Sequence, residues 1–237
     1  MPSFETIGVS ITGSISYEED FSFLKHKEDL ALKVRSESVP RIKDLWSLAV
    51  AEVGFDTDGD IRVATEKGTL FVSRHNVLVS VWSRTIASIR EGRDLQVVAD
   101  VLEELFRSRI PLRRLRYAIR SFISIRFNQP FSPLQVQDDI CSIRGSKLLS
   151  GIDPSTVSAF RWVVSARENA FTDTLEAQVG PTSVDVRQGR DSEASEFPSF
   201  REFVLAAGVP AMLERLRPSL EPLIADASKL EPVSFHE

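Results

Sequence analysis

Ile7-Gly8-Val9-Ser10-Ile11-Thr12-Gly13-Ser14-Ile15-Ser16 alternates branched apolar residues with glycine and hydroxyl residues. In an extended chain successive side chains point to opposite faces. Ile7, Val9, Ile11 and Ile15 therefore gather on one side, and Gly8, Ser10, Thr12, Ser14 and Ser16 on the other. Period two sustained over this stretch predicts a strand with one buried face and one polar face.

Working outward, residues 17–39 are less regular. Leu30, Leu32 and Val34 alternate, which predicts a second short strand before a break at 36–38. Pro40 is placed to open a helix to about Val53, with Ile42, Leu45, Trp46, Ala49 and Val53 on one stripe. A meander follows. Asp58-Gly59 and Lys67-Gly68 are turn dipeptides around the runs 61–64 and 69–73, and Arg74-His75-Asn76 turns the chain into Val77, Val79, Val81 and Ser83. Asp94 can cap a helix whose Leu95, Val98, Val101, Leu102 and Leu105 share a face.

The second half gives the same order. A helix is expected at 134–149, then strands at 157–167, 171–179 and 182–187, and a polar loop at 189–198. Ser199-Phe200-Arg201-Glu202 reads as a capping box for a last helical region that Gly208, Pro210, Pro218 and Pro222 interrupt. The expectation is an α+β domain with a largely antiparallel sheet and helices on one face, built from two pseudo-repeated β-α-β-β-β-α halves, 1–110 and 111–237, in one compact unit. Their first strands, 7–16 and 112–125, would lie near each other at the centre.

Seven arginines stand at 107, 109, 113, 114, 116, 120 and 126, with no acidic residue or lysine among them. Leu115, Tyr117 and Ile119 alternate with Arg114, Arg116, Ala118 and Arg120, again a strand pattern. Beside the hydroxyl row of the first strand, which carries no carboxylate, Arg114, Arg116 and Arg120 with Ser10, Thr12 and Ser14 form a candidate anion-binding surface. The competing reading pairs the same arginines with cross-strand Asp or Glu of this chain, where exposed pairs contribute only a few tenths of a kcal/mol, roughly. Nucleic acid is not the expected ligand, because only Tyr117 and Phe122 lie nearby for stacking.

The segment Leu115-Arg116-Tyr117-Ala118-Ile119, after an amphipathic helix and before a second αβ half, resembles a group of uncharacterised bacterial proteins with an Arg-Tyr-Ile-Asn strand in a similar place. Arg116-Tyr117 carries the match, and Ala118 departs from the isoleucine of that group. The resemblance implies an α+β fold and no particular activity.

Composition narrows the classes. The chain has 237 residues, a formal net charge of −5 and 42 % apolar residues, as in ordinary globular domains, and a negative total argues against general nucleic-acid binding. Residues 1–126 carry 19 basic against 18 acidic side chains, so the acidity resides in the second half. The start, Met-Pro-Ser-Phe-Glu-Thr, carries no signal-peptide pattern, no run approaches the roughly 20 apolar residues of a membrane span, and the lone Cys141 favours a reducing compartment. A cytoplasmic location is therefore expected.

His26, His75 and His236 share no short spacing with one another or with Cys141, so no zinc site is expected. Asp56 to Asp60 lacks the later ligands of a calcium loop and reads as a turn. No phosphate loop or nucleophile elbow occurs. Trp46, Trp82 and Trp162 sit in apolar patterns and are expected in the core, as is Cys141. The leading expectation is a non-catalytic binding or interaction protein without a cofactor. An anion or nucleotide sensor using the arginine-lined strand is the alternative, and an enzyme without a recognisable motif the third.

Overall fold

The computed structural model describes residues 4–18, 22–46, 52–55, 60–83, 92–127, 159–180 and 182–209. In chain order the elements are β1 (Phe4–Ser16), α1 (Ser22–Lys33), α2 (Val39–Trp46), β2 (Glu52–Phe55), β3 (Ile61–Thr65), β4 (Gly68–Val72), β5 (Asn76–Ser83), α3 (Arg93–Arg107), β6 (Arg116–Phe127), β7 (Phe160–Glu168), β8 (Phe171–Val179), β9 (Ser183–Glu193) and α4 (Phe200–Ala207). The strands form one nine-stranded sheet in the order β2-β3-β4-β5-β1-β6-β9-β8-β7, antiparallel at each pairing. This is the expected α+β arrangement. β1 and β6 are neighbours at its centre, so the sheet runs unbroken across the boundary near residue 110.

The period-two pattern decides what each face holds. Ile11 and Ile15 of β1, Tyr117, Ile119 and Ile123 of β6, and Val77 and Val79 of β5 are all buried on one side. There α3 lies over β5 and β1, and α4 over β6. Gly13 shows how close that packing is. A Cβ added to it would stand 2.7 Å from Phe200 Cζ and 3.2 Å from both Leu95 methyls, so a bare backbone lets α3 and α4 approach the sheet. Edge and tilted contacts of Tyr117, Phe171, Phe197, Phe200 and Phe203, with ring centroids 5.4–6.1 Å apart, hold α4 in place. As expected, Ser199 caps α4 by accepting from the Glu202 N–H, and Gly208 closes it in the left-handed conformation.

Three stretches differ from the expectation. The segment 22–46 is helical where a strand was read around Leu30–Val34. Leu30 and Val34 are buried four residues apart and Leu32 points to solvent, a helical spacing that two alternating leucines mimicked. A single π turn, Val34–Ser38, in which Val39 N–H bonds Val34 O, joins α1 to α2 just before Pro40. The widened turn accommodates a proline that an uninterrupted α-helix would exclude. The chain near Val53 is strand β2 rather than the end of that helix, because Glu52–Phe55 pairs antiparallel with residues 61–64 of β3, Val53 opposite Val63. Finally, β9 does not stop at Arg187. It continues through Glu193, and residues 189–193, read as loop, pair with Arg116–Arg120 of β6.

The Asp58-Gly59 turn, the helix expected at 134–149, Cys141 and the chain beyond Val209 lie outside the described residues. Among the described residues no helix is long and apolar enough to cross a membrane. Filling the space over Gly13 tests the close approach of the helices. Gly13→Val should destabilise the fold by about 1–3 kcal/mol in urea unfolding, through overpacking against Phe200. An unchanged midpoint would show that α4 does not press on β1.

Candidate functional site

The face of the sheet away from the helices is built in rows by the register. One row runs Ser80 on β5, Thr12 on β1, Arg120 on β6 and Gly189 on β9. The next runs Trp82, Ser10, Phe122 and Arg187, and a third pairs Ser16 with Arg116 and Glu193. The two central strands thus bring together the expected Ser10, Thr12, Arg116 and Arg120. Thr12 Oγ1 and Ser80 Oγ share a hydrogen bond of 2.8 Å. Ser14 lies in the same lane opposite Ala118, but it is buried and forms floor rather than an exposed hydroxyl.

Arg114 is placed elsewhere. It precedes β6, adopts a left-handed backbone with φ 51°, and projects into solvent at the end of the sheet. There it lines two adjoining hollows of about 370 and 260 Å³, the first with Arg107, Tyr117 and Glu193, the second with Ser16, Glu18 and Arg116. The alternation that put it on the strand face began two residues too early.

The arginines are not without carboxylates. Arg114 Nη1 lies 3.6 Å from Glu18, Arg116 Nε 3.3 Å from Glu193, and Arg120 Nη2 3.5 Å from Asp191. Asp191 and Glu193 belong to the part of β9 that the sequence pattern presents as a loop, which is why their approach was not foreseen. All three guanidinium groups remain more than half exposed, and each touches its carboxylate through a single nitrogen. Exposed pairs of this kind contribute about 0–1 kcal/mol. Arg120 lies along Gly189, where a Cβ would stand 3.4 Å from its Cγ.

Two further charged clusters are structural. Tyr117 turns its ring into the core, and its hydroxyl meets Glu103 at 3.2 Å and Arg107 at 3.4 Å, while Arg107 and Glu103 pair at 2.8 Å. Burial, reinforced by the Glu103 charge, pushes the Tyr117 hydroxyl up to about 12. Arg190 of β9 is buried on the helix side. It grips Asp173 through both Nε and Nη2, at 2.6 and 2.7 Å, donates to the Ala207 carbonyl at the end of α4, and covers the Phe171 ring at 4.7 Å. It ties the second-half strands to α4.

Four residues of the open face were not assigned to the site by sequence reasoning. Arg126 shares the parity of Arg116 and Arg120 and has no ion pair among the described residues, so parity alone could have added it. Phe122 shares that parity too, and Arg187 lies over its ring at 5.1 Å while pairing with Glu176 at 3.7 Å. Trp82, expected in the core, stands on the open face and is 48 % exposed, because its β5 neighbours Val77, Val79 and Val81 have the opposite parity.

The clusters carry two predictions. Tyr117 has a raised folded value, so its contribution to stability is complete below about pH 10 and is lost as pH rises toward 12, at about 1.4 kcal/mol per unit. The stability advantage of the wild type over Tyr117→Phe should therefore shrink across that window; a pH-independent difference would contradict the buried environment. Arg190→Met, which leaves Asp173 and the Ala207 carbonyl without this donor, should cost about 3 kcal/mol in urea unfolding, against under about 1 for Arg116→Ala. Equal costs would remove Arg190 from the core. Compared with known proteins, the chain matches no family model and no curated protein.

Proposed function

We propose that this protein is a non-catalytic cytosolic binding protein that takes an anionic ligand or partner segment on the open face of its sheet, with Arg116, Arg120 and Arg126 as its charged contacts. The observation that carries the reading is the looseness of the pairs at the first two positions. Exposed guanidinium groups engage Glu193 and Asp191 by single contacts of 3.3 and 3.5 Å, while the guanidinium of Arg126 has no ion pair among the described residues.

An entering phosphate or carboxylate can take over such contacts at little cost, because an exposed pair contributes about 0–1 kcal/mol. It gains the planar fork of arginine, whose charge-assisted hydrogen bonds are about twice as strong as neutral ones. Ser16 stands opposite Arg116 and Thr12 opposite Arg120, supplying hydroxyl donors beside each guanidinium. The role requires no bond to be made or broken, in keeping with a site assembled from arginines and hydroxyls on rigid strands.

Calorimetric titration with inorganic tripolyphosphate, an anion with no other chemistry, tests this. The wild type should bind, more weakly as salt is raised, and Arg116→Ala/Arg120→Ala should bind at least about tenfold more weakly, since a hydrogen bond to a charged group contributes about 1.5–3 kcal/mol. The double variant should melt within about 4 °C of the wild type, because both pairs are exposed. Undiminished binding by the variant, or no binding by the wild type, would refute the proposal.

A further inference from the structure

Trp82 is the largest exposed aromatic among the described residues, and its position is specific. The register sets it directly opposite Ser10, and Ser10 directly opposite Phe122. Two aromatic side chains therefore rise from the open face with one small serine between them. Strands are about 4.8 Å apart, so the backbones under Trp82 and Phe122 are separated by about 10 Å. A planar ring placed midway is about 5 Å from each aromatic, inside the 4.5–7 Å range of favourable ring pairs.

The two walls differ in their surroundings. Phe122 is backed on the β9 side by the Arg187 guanidinium at 5.1 Å, which is held in turn by Glu176. Trp82, on the β5 side, is engaged by no other ring or cation among the described residues. The gap thus has one braced wall and one uncommitted wall. Its floor is Ser10, with Gly8 two residues along the same strand offering no side chain.

One row further along lie Arg120 and the Thr12–Ser80 hydroxyl pair. Two residues along a strand cover about 7 Å and neighbouring strands lie about 4.8 Å apart, so the Arg120 backbone stands about 8 Å from Ser10, the floor of the gap, and its side chain runs outward over Gly189 toward Asp191. A ring and an anion joined at that separation describe a nucleotide, whose base stacks while its phosphate takes the arginine. Base stacking on protein aromatics tolerates any base, because every base has a π-face.

We infer that the open face binds a nucleotide, the base seated between Trp82 and Phe122 and the phosphates on Arg120. The inference rests on the reading of that face as an anion-binding surface, and it names the ligand class. It also makes Trp82 a specificity residue for the ring, with no part in holding the phosphate.

Adenosine triphosphate and inorganic tripolyphosphate, titrated side by side, test it. The nucleotide should bind about tenfold or more tightly, given about 1–3 kcal/mol per stacked base, and should quench the exposed tryptophan's fluorescence. Trp82→Ala should remove that advantage and the quench while leaving tripolyphosphate affinity as in the wild type. Trp82→Phe should retain part of the advantage, which a merely structural tryptophan would not do. Equal affinities for the two probes, or an advantage that survives Trp82→Ala, would overturn the ring site and leave the anion surface standing. Binding of neither probe would remove both. Nucleotide binding that depends on Trp82 but not on Arg116 and Arg120 would keep the ring and discard the arginine surface.

Discussion

Antiparallel pairing of β1 with β6 sets Ile11 opposite Ser121, Gly13 opposite Ile119 and Ile15 opposite Tyr117 on the helix side. One residue along, the same register sets Ser10 opposite Phe122, Thr12 opposite Arg120 and Ser16 opposite Arg116 on the other. Because the side-chain period is two, a slip of a single residue would drive Arg116 and Arg120 under the helices and Ile119 and Tyr117 into water. Burial of the isoleucines and of Tyr117 therefore fixes where every arginine of β6 points. The sheet's outer strands, and the helices over Gly13, are arranged around that choice.

The same residue type serves two purposes on β9 and β6, and environment separates them. Arg190 is buried, bound twice by Asp173 and committed to the end of α4, so it cannot leave without withdrawing two donors from that carboxylate and one from a helix carbonyl. Arg116 and Arg120 meet their carboxylates in water, through one nitrogen each. Their pairing orders the side chains on the open face without consuming their capacity to accept an outside anion. The aromatic pair Trp82 and Phe122 adds an apolar element to a surface otherwise made of hydroxyls and charges.

Much of this was legible in the chain. Clean alternation at 7–16 and 115–120 identified the two central strands, and the small, uncharged residues on one parity of β1 marked the open face. What escaped reading has physical causes. Leu30 and Val34 fit period two and a helical i, i+4 spacing alike over so short a span, with Leu32 between them completing a false alternation, and only packing of the buried face against α3 decides for the helix. Residues 189–193 look like loop because Gly189, Asp191 and Glu193 have low strand propensity, yet pairing with β6 overrides propensity at an inner strand. That one misreading concealed both carboxylates near the arginines. Trp82 was assigned to the core by its apolar neighbours, although its parity put it opposite Ser10 on the polar side.

The central claim concerns which guanidinium groups are free to exchange partners, and their side-chain Nε–Hε resonances report on that directly. Following these signals by nuclear magnetic resonance during a tripolyphosphate titration should move Arg116 and Arg120, and leave Arg190 unmoved behind Asp173. Shifts confined to Arg190 and Arg107, or no shift at any arginine of β6, would contradict the account.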